Sequence, residues 1–202
     1  METVAVLDFE TTGMSPALGD RPTEIAVALV AEGRIVDRYQ SLMNAGRRVP
    51  AEITRLTGIS NTMVAVAPPA ALVMREAARF VAGRPIVAHN ASFDQRFWRA
   101  ELERLDLPAD GPFACTMLLA RRLYPGFPNH RLSTVVRALA LPVPGRAHRA
   151  MVDAEMTSHL WCRLAQDVRS QYGVATVTHA LLSRAQRLPR AQLPRLLGSD
   201  AA

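Results

Sequence analysis

At 202 residues, with 49% hydrophobic content and a net charge of +6, the chain suits one globular domain with a short appendage, and its charge favours a polyanionic partner such as nucleic acid. Cys115 and Cys162 show no Cys-x-x-Cys spacing, which argues against a disulfide framework or a cysteine zinc site and leaves reduced, buried thiols as the expectation. The longest apolar run, residues 63–74, is broken by Pro68-Pro69 and is too short to span a bilayer.

The chain opens on a strand at residues 4–13, which leaves no room for a signal peptide before it, so a cytoplasmic location is expected. Residues 14–21 form a loop, and residues 24–30 and 34–42 read as two more strands joined by a Glu32-Gly33 hairpin turn. A short helix follows within residues 50–60 and ends near Gly58. Residues 70–82 predict a helix that offers Leu72, Val73, Phe80 and Val81 to a core and stops at Gly83. A fourth strand at 85–88 gives way to a helix over 92–107, with Ser92 and Gln95 at capping-box spacing. Residues 113–124 hold a short strand and a helix, 132–141 another helix, and 150–167 a long amphipathic one. A three-stranded meander followed by alternating strands and helices predicts an α/β fold with a mixed sheet. One more helix is expected within 174–187. A Leu-Pro-Arg duplication at 188–195 then predicts an extended basic tail, dividing the chain into a domain at 1–170 and an appendage at 171–202.

Three places carry carboxylates that a bland reading does not fully absorb. Asp8 and Glu10 lie two apart near the end of an apolar strand, so both project from one face and repel unless a cation or several donors compensate. Asp94 falls where the fourth strand becomes a helix, in His89-Asn90-Ala91-Ser92-Phe93-Asp94. Asp153 opens the long helix, five residues after His148. Singly, each is explained by a solvated strand end or a helix dipole.

Together and in this order, the three stretches resemble the exonuclease motifs of the DEDDh nucleases, a group that includes the proofreading subunit of bacterial replicative polymerases. Asp8-Phe9-Glu10-Thr11-Thr12-Gly13 resembles the first motif, residues 89–94 the second, and His148-Arg149-Ala150-Met151-Val152-Asp153-Ala154 the third. Glu24-Ile25-Ala26, Leu56-Thr57-Gly58-Ile59 and Leu132-Ser133 match intervening pieces, so the likeness runs from about Val4 to Leu164. Cys115 departs from it, standing where many relatives carry Asp. His148 places the chain in the His branch of the group.

The resemblance implies a ribonuclease-H-like fold and phosphodiester hydrolysis assisted by two divalent ions, Mg²⁺ or Mn²⁺, held by Asp8, Glu10, Asp94 and Asp153, with His148 as general base. Thr11 and Thr12 are expected to contact the terminal nucleotide through amides or hydroxyls. Phe93, one helical turn from Phe97, packs in the core or wedges between terminal bases. The implied function is 3′→5′ hydrolysis at the end of a single DNA strand in proofreading or repair, with a DNA polymerase as a partner to be sought. The same chemistry on RNA is the next reading, and a non-catalytic nucleic-acid-binding scaffold is the reading from another class.

Overall fold

The computed structural model describes residues 2–145 and 148–198. Its centre is a five-stranded sheet of order β3-β2-β1-β4-β5. The central strand β1 (Val4–Thr11) pairs antiparallel with β2 (Pro22–Ala31) and parallel with β4 (Ile86–Ala88). Beyond them β3 (Arg34–Leu42) completes the meander on one side and β5 (Phe113–Cys115) forms the other edge. This is the expected mixed sheet.

Both faces of β1 are covered, and the alternation of its side chains decides where its carboxylates emerge. Val4 and Val6 pack with Leu160, Trp161 and Leu164 of α7 (Ala150–Tyr172). Ala5, Leu7 and Phe9 point the other way, against α3 (Ala70–Val81) and α4 (Ser92–Glu103). Asp8 and Glu10 are in phase with Val4 and Val6, so they leave the strand on the side of α7.

Several boundaries shift for local reasons. On α3 the buried residues are Ala70, Val73, Met74, Ala77 and Val81, a helical stripe that leaves Leu72 49% exposed rather than in the core. The expected capping box at Ser92 does not form. Asn90 adopts φ 64° and its carbonyl accepts the Phe93 N–H, so a backbone turn starts α4 and Ser92 already lies inside the helix, exposed. Helix α7 runs past the expected residue 167 to Tyr172, because Val168 extends its buried stripe and Gly173, at φ 69°, is the first residue suited to the left-handed turn that ends it.

The largest departure is at the C-terminus. Instead of an extended tail, α8 (His179–Ala185) is followed by a 3-10 turn at Arg190–Gln192 and by α9 (Leu193–Gly198), whose Leu193, Leu196 and Leu197 are buried in the core beside α7. Pro194 occupies the first turn of α9, where a missing N–H costs no helical hydrogen bond. Residues 199–202 of the expected tail lie outside the described residues. The segment also ties down the β4–β5 side of the sheet: Gln186 Oε1 accepts the Cys115 N–H of β5 at 2.6 Å, and His179 Nε2 donates to the Ile86 carbonyl of β4 at 2.9 Å. Cys115 is buried and Cys162 partly so, both as free thiols. Among the described residues no helix is long and apolar enough to cross a membrane.

Candidate active site

The fold brings together the five residues singled out by the three motifs. Asp8 and Glu10 come from the end of β1, Asp94 from the first turn of α4, and Asp153 from the first turn of α7. Two hydrogen bonds fasten these pieces. Asp94 Oδ1 accepts the Phe9 N–H at 3.1 Å, tying α4 to β1, and Asp153 Oδ2 accepts the His148 N–H at 2.9 Å. His148 is exposed and held at φ 64°, a left-handed conformation that non-glycine residues seldom adopt. Donor atoms of Glu10, His148 and Asp153 lie within 4.8 Å of one another. A cavity of about 750 Å³ opens beside them, lined by Asp8, His89, Arg121, Arg131, His148 and Asp153 among others.

Electrostatics separate these carboxylates from their neighbour Glu24. Burial, then the charges of Asp94, Asp153 and Glu10, push the Asp8 carboxyl well above its usual range. Burial and the nearby Asp153 and Glu24 raise Glu10 to about 8. Burial likewise raises Asp94 to about 8, although the Phe9 N–H opposes it, and burial raises Asp153 against the His148 N–H. Four carboxylates so placed cannot all ionise without a cation, and their hard oxygen donors fit a divalent metal. Glu24 behaves oppositely. Burial alone would raise it, yet hydrogen bonds from Arg149, the Ala150 N–H and Gln40 hold it below the usual carboxylate range.

Glu24 is thus an anchor, missed as such in the sequence. It is 1% exposed, sits opposite Glu10 in the β1/β2 register, and takes Arg149 Nη2 at 2.7 Å and the Ala150 N–H at 3.0 Å. It therefore fixes the start of α7 and the residue that follows His148. Its signal was a lone carboxylate in an otherwise apolar strand. His89, the first residue of the second motif, donates from Nε2 to the His130 carbonyl at 2.9 Å, and its Nδ1 lies 2.9 Å from the Thr116 hydroxyl. Burial lowers it to about 4, so it is a neutral strut that holds the loop before Arg131.

The hydroxyls of Thr11 and Thr12 and the ring of Phe93 have partners within the protein. Thr11 Oγ1 donates to the Gly13 carbonyl at 2.6 Å, while Thr12 Oγ1 accepts the Arg21 N–H at 3.0 Å, and both threonines are buried. Their hydroxyls shape the β1–β2 loop. Phe93 is half-buried against the α3/α4 side of the core, its ring centroid 5.0 Å from that of Phe97.

The raised carboxyls imply a pH-dependent stability with a definite sign. Protons bound by the folded state but released on unfolding stabilise the fold below the unfolded pKa, and this stabilisation is lost as pH rises through the folded value. For Glu10 and Asp94 that window runs from the ordinary carboxylate range to about 8. The metal-free protein should therefore lose about 1.4 kcal/mol per pH unit for each such proton. Calorimetric Tm in chelator should fall between pH 5 and 8, and Mn²⁺ should raise Tm more at pH 8 than at pH 5; a flat profile in chelator would contradict the assignment.

A mixed five-stranded sheet that gathers carboxylates from β1, α4 and α7 at one groove defines a ribonuclease-H-like nuclease architecture. Residues 5–160 match the RNase T family model, described as exonuclease, and the chain belongs to that family, whose members use divalent metals. The chain is 37% identical over 168 residues to the PolC-type DNA polymerase III of Bacillus cereus, covering 83% of this chain and 12% of the polymerase. It is 34% identical over 191 residues to the 3′-5′ exonuclease DinG of Bacillus subtilis, covering 87% of this chain and 20% of that protein. It thus spans a small part of either relative. Among solved structures, exonuclease X in complex with 5′ overhanging duplex DNA is similar over 96% of this chain and 99% of its own, at 27% identity and a TM-score of 0.66.

Proposed function

We propose that this chain is a metal-dependent 3′→5′ exonuclease that hydrolyses the terminal phosphodiester of single-stranded DNA and releases nucleoside 5′-monophosphates, in cytoplasmic proofreading or repair and beside a DNA polymerase. The observation that carries the reading is the meeting of Asp8, Glu10, Asp94, Asp153 and His148 at one groove. That complete set argues against a non-catalytic scaffold. Similarity to a polymerase and to exonuclease X favours DNA over RNA.

The four carboxylates would hold two divalent ions, Mg²⁺ or Mn²⁺, which when bound activate water and neutralise charge on the leaving 3′ oxygen. The chain's own residues do the rest. His148 accepts the proton of the attacking water, from a position fixed by its N–H on Asp153 and by the Arg149–Glu24 pair next to it. Arg121 and Arg131, on the groove wall, neutralise backbone phosphates.

The nearness of His148 to Glu10 and Asp153 supports a second role for its ring, as a metal ligand. His148→Ala separates the two. As general base, its loss should slow single-turnover cleavage by about 10²–10⁴-fold while Mn²⁺ affinity holds; as ligand, affinity should fall as well. Running the assay on 3′- and 5′-labelled DNA and RNA under Mg²⁺ and Mn²⁺ fixes polarity and sugar preference. Cleavage by the variant at the wild-type rate would end the general-base role, and no mononucleotide release by wild type from any strand would end the exonuclease reading.

A further inference from the structure

We infer that Arg184, Arg187, Arg190 and Arg195 form a docking track for the phosphate backbone of a single nucleic-acid strand whose 3′ end occupies the active-site groove, an inference that rests on the exonuclease reading. Charge segregation is the first observation. Between residues 168 and 198 the sequence has five arginines, the fifth being Arg169, and no Asp or Glu, so five of the six net positive charges lie there. This segment follows the region matched by the family model.

The four guanidiniums are exposed, and among the described residues none is paired with a carboxylate. Five arginines elsewhere, Arg21, Arg38, Arg104, Arg149 and Arg163, are by contrast paired with carboxylates within the protein. The positions are fixed as well, since the backbone that carries them is anchored by buried Leu193, Leu196 and Leu197. Arg184 and Arg195 face a common cavity of about 430 Å³ together with Leu188 and Gln192.

Continuity with the active site identifies the partner. Helix α5 (Thr116–Leu123) presents Met117 and Arg121 to the catalytic groove, and the next residue, Arg122, donates from Nε to the Leu188 carbonyl at 2.7 Å. One short helix therefore separates the groove from the arginine-lined cavity, a width of about 10 Å. A strand leaving the groove past Arg121 meets this surface next. Residues 174–198 contain no Phe, Tyr or Trp to stack on bases, so the contact reads phosphates and is indifferent to sequence.

The test compares a dT trinucleotide with a dT 20-mer. Arg184→Gln/Arg195→Gln and Arg187→Gln/Arg190→Gln proteins would be assayed for 20-mer binding by fluorescence anisotropy in Ca²⁺ and for cleavage of both substrates in Mn²⁺. Each double variant should bind the 20-mer at least about 10-fold more weakly, with the slope of log K against log salt reduced by about 0.7 per lost phosphate contact, and should cleave the trinucleotide at the wild-type rate with Tm unchanged. Unaltered 20-mer affinity, or equal losses on both lengths, would overturn the track. So would polyglutamate that binds wild type but not the variants while 20-mer affinity is the same in both, because the surface would then be a site for acidic polypeptides. Failure of wild type to cleave either substrate would instead remove the exonuclease reading, while the binding measurement still reports on the surface.

Discussion

Asp8→Asn and Asp153→Asn are expected to abolish turnover and, in chelator at pH 8, to melt at or above the wild-type temperature. Each wild-type carboxylate faces like charges in a buried setting that already drives protonation. Replacing it by a neutral isostere removes repulsion in the metal-free protein and removes a ligand in the metal-loaded one. Activity should fall by at least about 10²–10³-fold, the scale for losing one preorganised charge-stabilising group. A stabilisation of about 1 kcal/mol would raise Tm by about 2–4 °C in a chain of this size. Glu24→Gln is the control, because Glu24 is charged and saturated with donors. Its loss should destabilise the protein by about 1–3 kcal/mol, towards the lower end since Arg149 is 37% exposed, and it should slow cleavage indirectly by loosening the start of α7. Opposite signs for Tm at Asp8 and Glu24 would identify ligands and anchor without any metal present. Melting of Asp8→Asn well below wild type would instead make that carboxylate structural.

The site was legible because its chemistry needs charged residues where packing needs apolar ones. Asp8 and Glu10 stand out against Val4, Val6 and Leu7, and the same contrast was present at Glu24 between Thr23 and Ile25. There, however, sequence cannot distinguish a carboxylate satisfied by Arg149 from one awaiting a metal, since the partner is 125 positions away. Strand order followed from the meander and the alternation after it. The helix starts were less legible: Ser92 has the right spacing for a cap, but the left-handed turn at Asn90 depends on where β4 ends. Thr11 and Thr12 look free in sequence and are not, because Gly13 and Arg21 come back to meet them.

The C-terminal segment misled for a reason that yields the other large effect. Two prolines in residues 188–195 mark positions without an amide donor, but Pro189 precedes the 3-10 turn and Pro194 falls in the first turn of α9, so neither interrupts a helical hydrogen bond. What the Leu-Pro-Arg pattern concealed is the spacing of Leu193, Leu196 and Leu197, which places all three against α7 and α8. Burying a leucine is worth about 1.5–3 kcal/mol, and less once compactness of the unfolded chain is counted. A chain ending at Arg187 should therefore lose at least about 3 kcal/mol and melt about 6–12 °C lower. Leu197→Ala alone, in a fully buried position, should cost about 2–5 kcal/mol. Among the described residues none lining the catalytic groove lies beyond Met156, so trinucleotide cleavage per folded molecule should persist well below the new Tm. Denaturant melts of the truncated and Leu197→Ala proteins, paired with that assay, decide the matter: wild-type stability in both would show that α9 is a dispensable appendage after all, and lost trinucleotide cleavage in protein still folded would show that it shapes the groove.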